Sequence, residues 1–184
     1  MTETMANPRE AANSGKSASH REAGKRYLSF ELGGQTYAVP LKQVQEILHM
    51  ARLSNPPSVP PFVEGFLNLG GVAITVLRLD RLLGIKVSDI HLYSTLLILR
   101  TAAGPTAWLV DTVKTVVACD DDSRMPVAPD QSVNACIEAE LMLDEQAIHL
   151  LSTDRVLLEK ERQTVEHFRV VVQQRLESLE GAPS

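Results

Sequence analysis

Short apolar stretches with the period of a β-strand alternate with turn residues over most of the chain. Apolar residues occupy alternate positions from 28 to 32, a Gly33-Gly34 pair follows, and the alternation resumes at Tyr37. Alternation places apolar side chains on one face of a strand, and paired glycines supply the positive φ angles of a tight turn. The pattern predicts a β-hairpin over residues 27–40.

The next segments carry a short helical pattern and two turn signals. Residues 41–48 (LKQVQEIL) have apolar side chains at helical spacing, which predicts one or two turns of amphipathic helix. Residues 55–62 (NPPSVPPF) hold four prolines, and because proline lacks a backbone donor we expect a rigid connection outside the sheets. In residues 62–71 (FVEGFLNLGG) glycines interrupt large apolar residues, which favours a tight turn between strands or a close approach of two backbones.

Further strand-like segments lead to a barrel prediction. They lie at residues 72–79, 94–100, 106–119 and 140–152, the last as a hairpin around Asp144-Glu145, with a short helix or turn ending at Gly84, a turn at 102–105 and a loop at 119–135. The pattern occurs twice, and its second half begins near Tyr93. Many short strands separated by turns are typical of small barrels, so we expect a mainly β fold.

The two ends of the chain differ from this pattern. Residues 153–179 contain neither glycine nor proline, which predicts a helix of roughly 25 residues with Ser152 or Thr153 as its N-cap. One apolar stripe runs along this helix and consists of Val165, Phe168, Val172, Leu176 and Leu179. Residues 1–26 have no hydrophobic periodicity, so we expect a disordered tail.

Composition and motifs argue against most kinds of chemistry. The formal charge of -5 comes with no basic stripe, so nucleic acid is not an expected partner. Cys119 and Cys136 lack the paired spacing of a metal site, and we expect neither a metal nor a cofactor. There is no secretory signal, membrane-spanning stretch or catalytic motif, so we expect a cytoplasmic protein that is not an enzyme.

Several sequence blocks, in order along the chain, resemble the CheW family of chemotaxis coupling proteins. The blocks are V-x-E-I, a proline, F-x-x-G-x-x-N-L-x-G-V and V-D-x-V-x-x-V. They consist of Val44, Glu46, Ile47, Pro60, Phe62, Gly65, Asn68, Leu69, Gly71 and Val72, followed by Val110, Asp111, Val113 and Val116. The resemblance covers a CheW-like domain (27–158), which leaves the disordered tail (1–26) before it and a C-terminal helical extension (159–184) after it.

The resemblance implies a fold and a function. It implies two intertwined, five-stranded SH3-like barrels around a shared core, with no catalytic activity. It also implies two partners: the cytoplasmic tip of a chemoreceptor (a methyl-accepting chemotaxis protein) and the regulatory domain of a CheA-type histidine kinase. The protein would hold both in a signalling array, near the membrane only through the receptor and without inserting into it.

Family positions imply a receptor-binding groove that involves Val44, Glu46, Gly65 and Thr95. For Val44 and Gly65, plain packing and turn geometry is an equal alternative. The family motif N-L-R-G is here N-L-G-G, so Gly70 replaces an arginine that can pair with the glutamate matching Glu46.

A second departure from the family lies in the strand that follows. The family tends to have proline and then aspartate where this chain has Thr75 and Arg78. We therefore expect Arg78 to offer Glu46 a partner and to affect partner choice. These departures favour a divergent array, such as one that controls surface behaviour or second-messenger synthesis.

The apolar stripe of the C-terminal helix allows two interpretations. It packs onto the chain's own barrels, or Val165, Phe168, Val172 and Leu176 bind a receptor, a kinase or a second copy of the chain. The second interpretation gives the alternative function, a structural array subunit that self-associates through this helix. An enzyme built on an SH3-like scaffold is the third and least supported possibility.

Overall fold

The computed structural model of the chain describes residues 25–86, 89–132, 135–143 and 146–180. The predicted disordered tail therefore lies almost wholly outside the described residues. Its last two positions do not, because Lys25 and Arg26 already belong to the first strand. Regular structure begins two residues earlier than the sequence pattern indicated.

Eleven strands and two α-helices make up the described part of the chain. The strands are β1 (Lys25–Leu32), β2 (Gln35–Pro40), β3 (Val44–His49), β4 (Val63–Leu69), β5 (Val72–Arg78), β6 (Thr95–Thr101), β7 (Gly104–Val110), β8 (Thr112–Cys119), β9 (Arg124–Pro126), β10 (Ile137–Leu143) and β11 (Gln146–Leu151). The helices are α1 (Leu79–Leu83) and α2 (Glu159–Glu180), and short 3-10 turns lie at Leu41–Gln43, Asp121–Ser123 and Pro129–Gln131. The mainly β fold is confirmed.

The strands form two sheets, and the first is built from both ends of the chain. Its order is β8-β1-β2-β11-β10-β9, whereas the second sheet, β3-β6-β7-β5-β4, uses one continuous segment. The predicted boundary near Tyr93 is wrong, because this residue lies in a loop inside the segment that forms the second sheet. Two parallel pairs, β2 with β11 and β5 with β7, join strands that are distant in sequence.

The second sheet closes on itself where the chain beyond β3 reaches β4. Ser54 and Phe66 exchange two backbone hydrogen bonds, of 2.8 and 2.9 Å, and so form a bridge at the free edge of β4. One apolar cluster around Ile74 and Ile98 fills this barrel, and a second around Leu141 and Leu150 fills the first barrel. Each barrel therefore has its own interior.

A third and larger cluster lies between the barrels and joins them. Trp108 and Phe30 are 1% and 0% exposed, and their rings meet edge to face at 6.5 Å between centroids. Aromatic pairs in this geometry bury large apolar area and fix the relative position of the strands that carry them. The shared core predicted for the two barrels is confirmed.

Glycine pairs make the predicted tight turns. Gly33 and Gly34, between β1 and β2, have φ angles of 59° and 81°, and Gly70 and Gly71, between β4 and β5, have φ angles of 59° and 85°. Only glycine adopts this region without strain, which explains the two predicted hairpin turns.

The helix predicted over residues 41–48 is wrong. A 3-10 turn covers Leu41–Gln43, and the remainder is strand β3, paired with β6. Apolar residues at 44, 47 and 48 fit a helical face, but in the strand Leu48 points into the second barrel while Ile47 stays 45% exposed. Tertiary pairing decided the structure, because such short apolar patterns do not distinguish a helix from an edge strand.

Helix α2 begins at Glu159, six residues later than predicted. Residues 153–158 form a turn, and the backbone N–H of Leu158 donates to the Glu161 carboxylate at 2.8 Å. This carboxylate satisfies one of the backbone donors that every helix start leaves unpaired. The N-cap predicted at Ser152 or Thr153 is therefore wrong.

The apolar stripe of α2 packs onto the protein's own barrels. Val165 and Val172 are buried in the shared core, and Phe168 and Leu176 pack against it. Leu179 is 75% exposed and lies outside this contact. Of the two interpretations offered by the sequence, self-packing describes the stripe in this structure.

A single glutamine ties α2 to the turn between β4 and β5. Gln173 Oε1 accepts from the Ala73 backbone N–H at 2.8 Å, and its Nε2 donates to the Gly71 carbonyl at 2.9 Å. Strand β7 pairs with β5 only from Thr75 onward, so the first residues of β5 lie before this pairing begins. The Gln173 amide therefore takes the place of a neighbouring strand and satisfies backbone groups that would otherwise lack partners.

Candidate functional site

The edge of the second barrel presents an exposed strand. Within the described residues, β3 pairs with β6 alone, so one of its edges carries no strand partner. Gln45, Glu46 and His49 are exposed, and Ile47 is 45% exposed. Unpaired strand edges are sites where other chains attach unless they are covered or charged.

A neighbouring loop adds two exposed apolar side chains to this edge. Leu92 and Tyr93 are each 80% exposed, and the next residue, Ser94, accepts a 2.9 Å backbone hydrogen bond from Met50 at the end of β3. This bond places the loop beside the end of the strand. We call the combined area the β3 edge surface, made of Val44, Glu46, Ile47, His49, Leu92 and Tyr93.

The β3 edge surface is elongated. Val44 pairs with Leu99 and His49 pairs with Thr95, so five residue steps separate the ends of the strand. At about 3.4 Å per residue this distance is about 17 Å, which matches roughly three turns of α-helix. A helix laid along the strand would meet Ile47 near its middle and the loop with Leu92 and Tyr93 at one end.

Three of the predicted receptor-binding residues lie along β3 and its pairing partner. Glu46 is exposed and is the only carboxylate on β3. Val44 is half-buried and packs against the shared core, whereas Thr95 is only 7% exposed. The strand thus brings Glu46 and part of Val44 to the surface, and Thr95 lies beside it on β6, paired with His49.

Gly65 lies on β4, at the opposite edge of the second sheet. Register pairs connect Glu46, Ile98, Ala107, Val76 and Gly65 in one row across the five strands. A side chain at Gly65 would collide with the Asn55 amide and would lie 3.0 Å from both the Leu53 Cβ and the Ser54 carbonyl oxygen. The glycine is needed because the segment that closes the barrel crosses β4 here.

Arg78 does not pair with Glu46, so this part of the sequence interpretation is wrong. Its guanidinium binds Asp80 through two hydrogen bonds, of 3.0 and 2.6 Å, and Glu64 through one of 3.3 Å. Arg78 and Asp80 are 5% and 3% exposed. β5 is also separated from β3 by two strands.

The hydrogen bonding of the Arg78 guanidinium to the Asp80 carboxylate is the main cause that raises the pKa of Arg78, although burial acts in the opposite direction. Buried carboxylates next to an arginine give a matched pair that persists at neutral pH. The Arg78 cluster (Glu64, Arg78 and Asp80) is therefore a structural feature beneath the surface.

Gly70 is exposed in the turn between β4 and β5. No atom lies within 4 Å of the position that a Cβ atom at Gly70 would occupy. The Gly71 N–H donates to the Asn68 side chain at 2.9 Å. A longer side chain at Gly70 would point into open space. The site is accessible to a partner and lies at the tip of the β4–β5 hairpin.

The other predicted partner-binding residues lie on α2. Val165 and Val172 are buried in the shared core, and Phe168 and Leu176 are half-buried against it. Contact with their own barrels accounts for the apolar character of these four residues. An interface that used them would require α2 to leave the barrels.

Sequence reasoning missed the most exposed part of the surface. Leu92 and Tyr93 stand in a loop between residues such as Asp89, His91 and Ser94, and they belong to no predicted strand. Two adjacent large apolar residues between the polar residues His91 and Ser94 are a signal that could have identified them. The exposure of Ile47 was missed because the residue was assigned to the apolar face of a predicted helix.

In the described ranges, no three His, Cys, Asp or Glu side chains converge in a way that could hold a metal ion. None of the helices in these ranges is both long and apolar enough to span a membrane.

Comparisons with known sequences agree with one another. The family model of the CheW-like domain matches residues 26–161. The chain is 23% identical over 139 residues to chemotaxis protein CheW of Bacillus subtilis, covering 74% of this chain and 88% of that protein. It is also 31% identical over 86 residues to chemotaxis protein CheW of Thermotoga maritima, covering 47% and 56%.

The chain is also similar to one further protein sequence and to one crystal structure. The chain is 30% identical over 64 residues to protein PilI of Pseudomonas aeruginosa, covering 35% of this chain and 36% of that protein. The crystal structure of scaffolding protein TtCheW from Thermoanaerobacter tengcongensis has a TM-score of 0.70 and 23% identity, covering 78% of this chain and 94% of that one. This structural likeness shows the double-barrel fold.

Proposed function

Because the chain belongs to the CheW-like domain family, we propose that it is a non-catalytic adaptor in the cytoplasm. It couples the cytoplasmic tip of a chemoreceptor to the regulatory domain of a CheA-type histidine kinase. Each partner occupies its own surface, so that a change in the receptor biases the kinase between its signalling states.

The observation that carries the proposal is the exposed β3 edge surface. Its length suits a helical receptor tip, Ile47, Leu92 and Tyr93 offer apolar anchors, and Glu46 offers a rim charge. Helices that dock on a protein surface use a few apolar anchors surrounded by polar residues. Val44 and Thr95 hold the strand that presents these groups.

A second surface on the first barrel supports a separate partner. Met125 and Met142 are 49% and 50% exposed, and Met125 pairs with Glu140, two residues from Met142 on β10. Methionine side chains adapt readily to a partner surface. We assign this methionine pair to the kinase regulatory domain, since it lies on the barrel that does not carry β3.

The test is binding of the full chain to a receptor cytoplasmic hairpin and to the regulatory domain of a CheA-type kinase, by calorimetry. We expect the receptor hairpin and the kinase regulatory domain each to bind the protein. The kinase domain should also bind when the receptor hairpin is already bound. Replacing Leu92 and Tyr93 by serine should weaken the receptor complex at least tenfold, because buried aromatic and aliphatic anchors carry most interface energy. Met142→Asp should weaken only the kinase complex.

The control is Val170→Asp, an apolar residue of α2 that is 42% exposed. It should affect neither complex. Absence of binding to both partners at tens of micromolar, with a folded protein, would contradict the adaptor role. The alternative of self-association through α2 is not favoured by any contact of that helix, because its stripe is covered by the barrels. Under that alternative Leu179→Asp, at the exposed end of the stripe, would change the oligomeric state.

A further inference from the structure

A cavity opens at the end of the β1–β2 hairpin that lies opposite its glycine turn. It has a volume of about 520 Å³, and its walls include the start of β1, Pro40 with the 3-10 turn that follows, and Arg124 at the start of β9. In the first sheet β2, β11 and β10 separate β1 from β9, so the sheet curves to bring both strands to this hairpin-end cavity. Small-molecule sites usually have volumes of roughly 300–1,000 Å³.

One wall of the hairpin-end cavity is apolar. Pro40 and Leu41 line it and are half-buried, so part of each side chain is open to a ligand. Behind them lie Tyr27 and Leu150, which are 3% and 1% exposed and belong to the apolar cluster of the first barrel. Because this packed cluster supports the wall, the cavity is preformed, and an apolar group that enters it is withdrawn from water.

Basic side chains surround the same cavity. Lys25, Arg26 and Lys42 line it and are exposed, and Arg124 lines it and is half-buried. They come from three distant segments of the chain, so the sequence shows no basic stripe, and the formal charge of the whole chain is -5. A compact space of this volume is about 10 Å across, which is also about the range of charge interactions in 0.1 M salt. The potentials of these cations therefore add at the cavity mouth.

This positive charge is not matched by carboxylates of the cavity wall. Glu138 is the only carboxylate among the described residues that line the cavity, and it already binds Arg155 at 2.8 Å. Arg26 and Lys42 make no ion pair with any residue that the structure describes. Like charges at one mouth repel each other, and an anion placed between them relieves this repulsion.

We propose that the hairpin-end cavity binds a small organic anion with an apolar body. The body packs against Pro40 and Leu41, and its carboxylate or phosphate group meets Arg26 and Lys42 at the mouth, since guanidinium and ammonium groups bind both kinds of anion. An inorganic anion would leave the apolar wall in contact with water, and an uncharged molecule would gain nothing from the cations. The site goes beyond the adaptor function and stands whether or not that function holds.

Three probes separate the anionic group from the apolar body. They are 2-naphthoate, which has both, 2-acetylnaphthalene, which has nearly the same shape without the charge, and acetate, which has the charge alone. Each would be titrated into the full isotope-labelled chain, and nuclear magnetic resonance would follow the backbone amides of Arg26, Leu41 and Lys42. We expect saturable shifts with both naphthalenes, about tenfold tighter binding of 2-naphthoate, and no saturable shift with acetate over the same concentrations.

Salt should act on the charged probe alone. Raising sodium chloride from about 50 mM to about 500 mM should remove most of the tenfold preference, because the cations at the mouth are exposed and are screened by salt. The affinity for 2-acetylnaphthalene should not fall, since its binding depends on the apolar wall.

Matched variants localise the effect. Arg26→Gln and Lys42→Gln should each weaken 2-naphthoate binding about threefold, and the double variant should remove most of the preference. The affinity for 2-acetylnaphthalene should stay at the wild-type value in all of them. The control is Lys86→Gln, because Lys86 is exposed, makes no ion pair with a described residue and does not line this cavity. It changes the net charge by the same amount and should bind all probes as the wild type does.

Urea denaturation keeps the test independent of folding. Arg26→Gln and Lys42→Gln should unfold at or above the wild-type urea concentration, because each removes a repelling charge and breaks no ion pair among the described residues. A folded wild type that shows no saturable shift with 2-naphthoate would overturn the proposal.

Three other results would also overturn it. Acetate shifts that saturate at the same concentrations as those of 2-naphthoate would mean an adventitious ion only. Equal affinity for the two naphthalenes at low salt, or a preference that persists in the double variant, would mean that the cations do not select the ligand. Weaker binding of the kinase regulatory domain by the double variant, without any response of the wild type to 2-naphthoate, would assign the basic mouth to a protein partner instead.

Discussion

Glu46, on the β3 edge surface, and Arg78, in the Arg78 cluster, were both expected to bind partners, yet they differ in exposure and in the charges that surround them. Glu46 and Ile47 lie on an exposed strand whose outer edge has no strand partner within the described residues. Arg78 is 5% exposed and is saturated by two carboxylates. A residue's place in a family motif therefore does not decide its role. Its exposure and the charged side chains around it in the fold do.

The largest effect should follow from breaking the Arg78 cluster. Arg78→Ala leaves Asp80 as a buried carboxylate, 3% exposed, without its bidentate partner. Because this carboxylate stays desolvated and loses two charge-assisted hydrogen bonds, the free energy of unfolding should fall by about 3–5 kcal/mol, measured by urea denaturation. The control is Lys114→Ala, whose bridge to Glu31 is solvent-exposed and should contribute about 1 kcal/mol or less. A loss below 1 kcal/mol for Arg78→Ala would mean that the cluster does not stabilise the fold.

The next largest effect should follow from replacing Gly65, and it should appear as a loss of stability rather than as a change in binding alone. In Gly65→Ala the added methyl group meets the Asn55 side chain, the Leu53 Cβ and the Ser54 carbonyl, so we expect a loss of about 1–3 kcal/mol in unfolding free energy. The double variant Gly65→Ala/Asn55→Ala should recover part of the loss, because only the flexible side chain is removed. Full stability in the single variant would show that the closing segment moves easily, and would contradict a packing role for Gly65.

Gly70→Arg, which restores the arginine of the family motif, should have a smaller effect. The φ angle of 59° at this position is unfavourable for arginine, so stability should fall by about 1 kcal/mol although the new side chain meets no atom. Gly70→Asn is the control, since asparagine tolerates this conformation better. Calorimetry with the receptor hairpin would then test Gly70 as a binding residue: a dissociation constant equal to that of the wild type would remove it from the interface.

The smallest effect concerns the response to alkaline pH. Burial raises the pKa of the Cys136 thiol above its ordinary value of 9.0. The unfolded chain therefore loses this proton at a lower pH than the folded protein. The stabilisation is complete below the pKa of the unfolded state and is lost as pH rises through the pKa of the folded state. Unfolding free energy should decline less between pH 8 and pH 10 in Cys136→Ala than in the wild type. Identical slopes in the two proteins would contradict the assignment to Cys136.

Much of the local structure could be predicted because local residues determine it. The glycine pairs at 33–34 and 70–71 take positive φ angles that other residues avoid, so they mark hairpin turns wherever the flanking residues alternate. The apolar stripe of α2 was likewise visible from its spacing. Its packing partner was left open, because a stripe shows that a face is buried but not what covers it.

The remaining features depend on contacts between distant residues. The pairing of β2 with β11 joins residues 37–38 to residues 149–150, and no local sequence pattern predicts this pairing. Strand β3 was mistaken for a helix because only its partner β6 fixes its conformation. The ion pair expected between Arg78 and Glu46 failed for a similar reason: sequence distance gave no indication that two strands separate β5 from β3.

The most direct test of this comparison measures stability and receptor binding on the same samples of Ile47→Asp. Ile47 is 45% exposed and contributes little to the core, so the account predicts an unfolding free energy within about 0.5 kcal/mol of the wild type. It also predicts at least tenfold weaker binding to the receptor hairpin, because a charge replaces an apolar anchor in the middle of the β3 edge surface. Unchanged binding would contradict the account, and so would a loss of binding that merely follows a loss of folded protein.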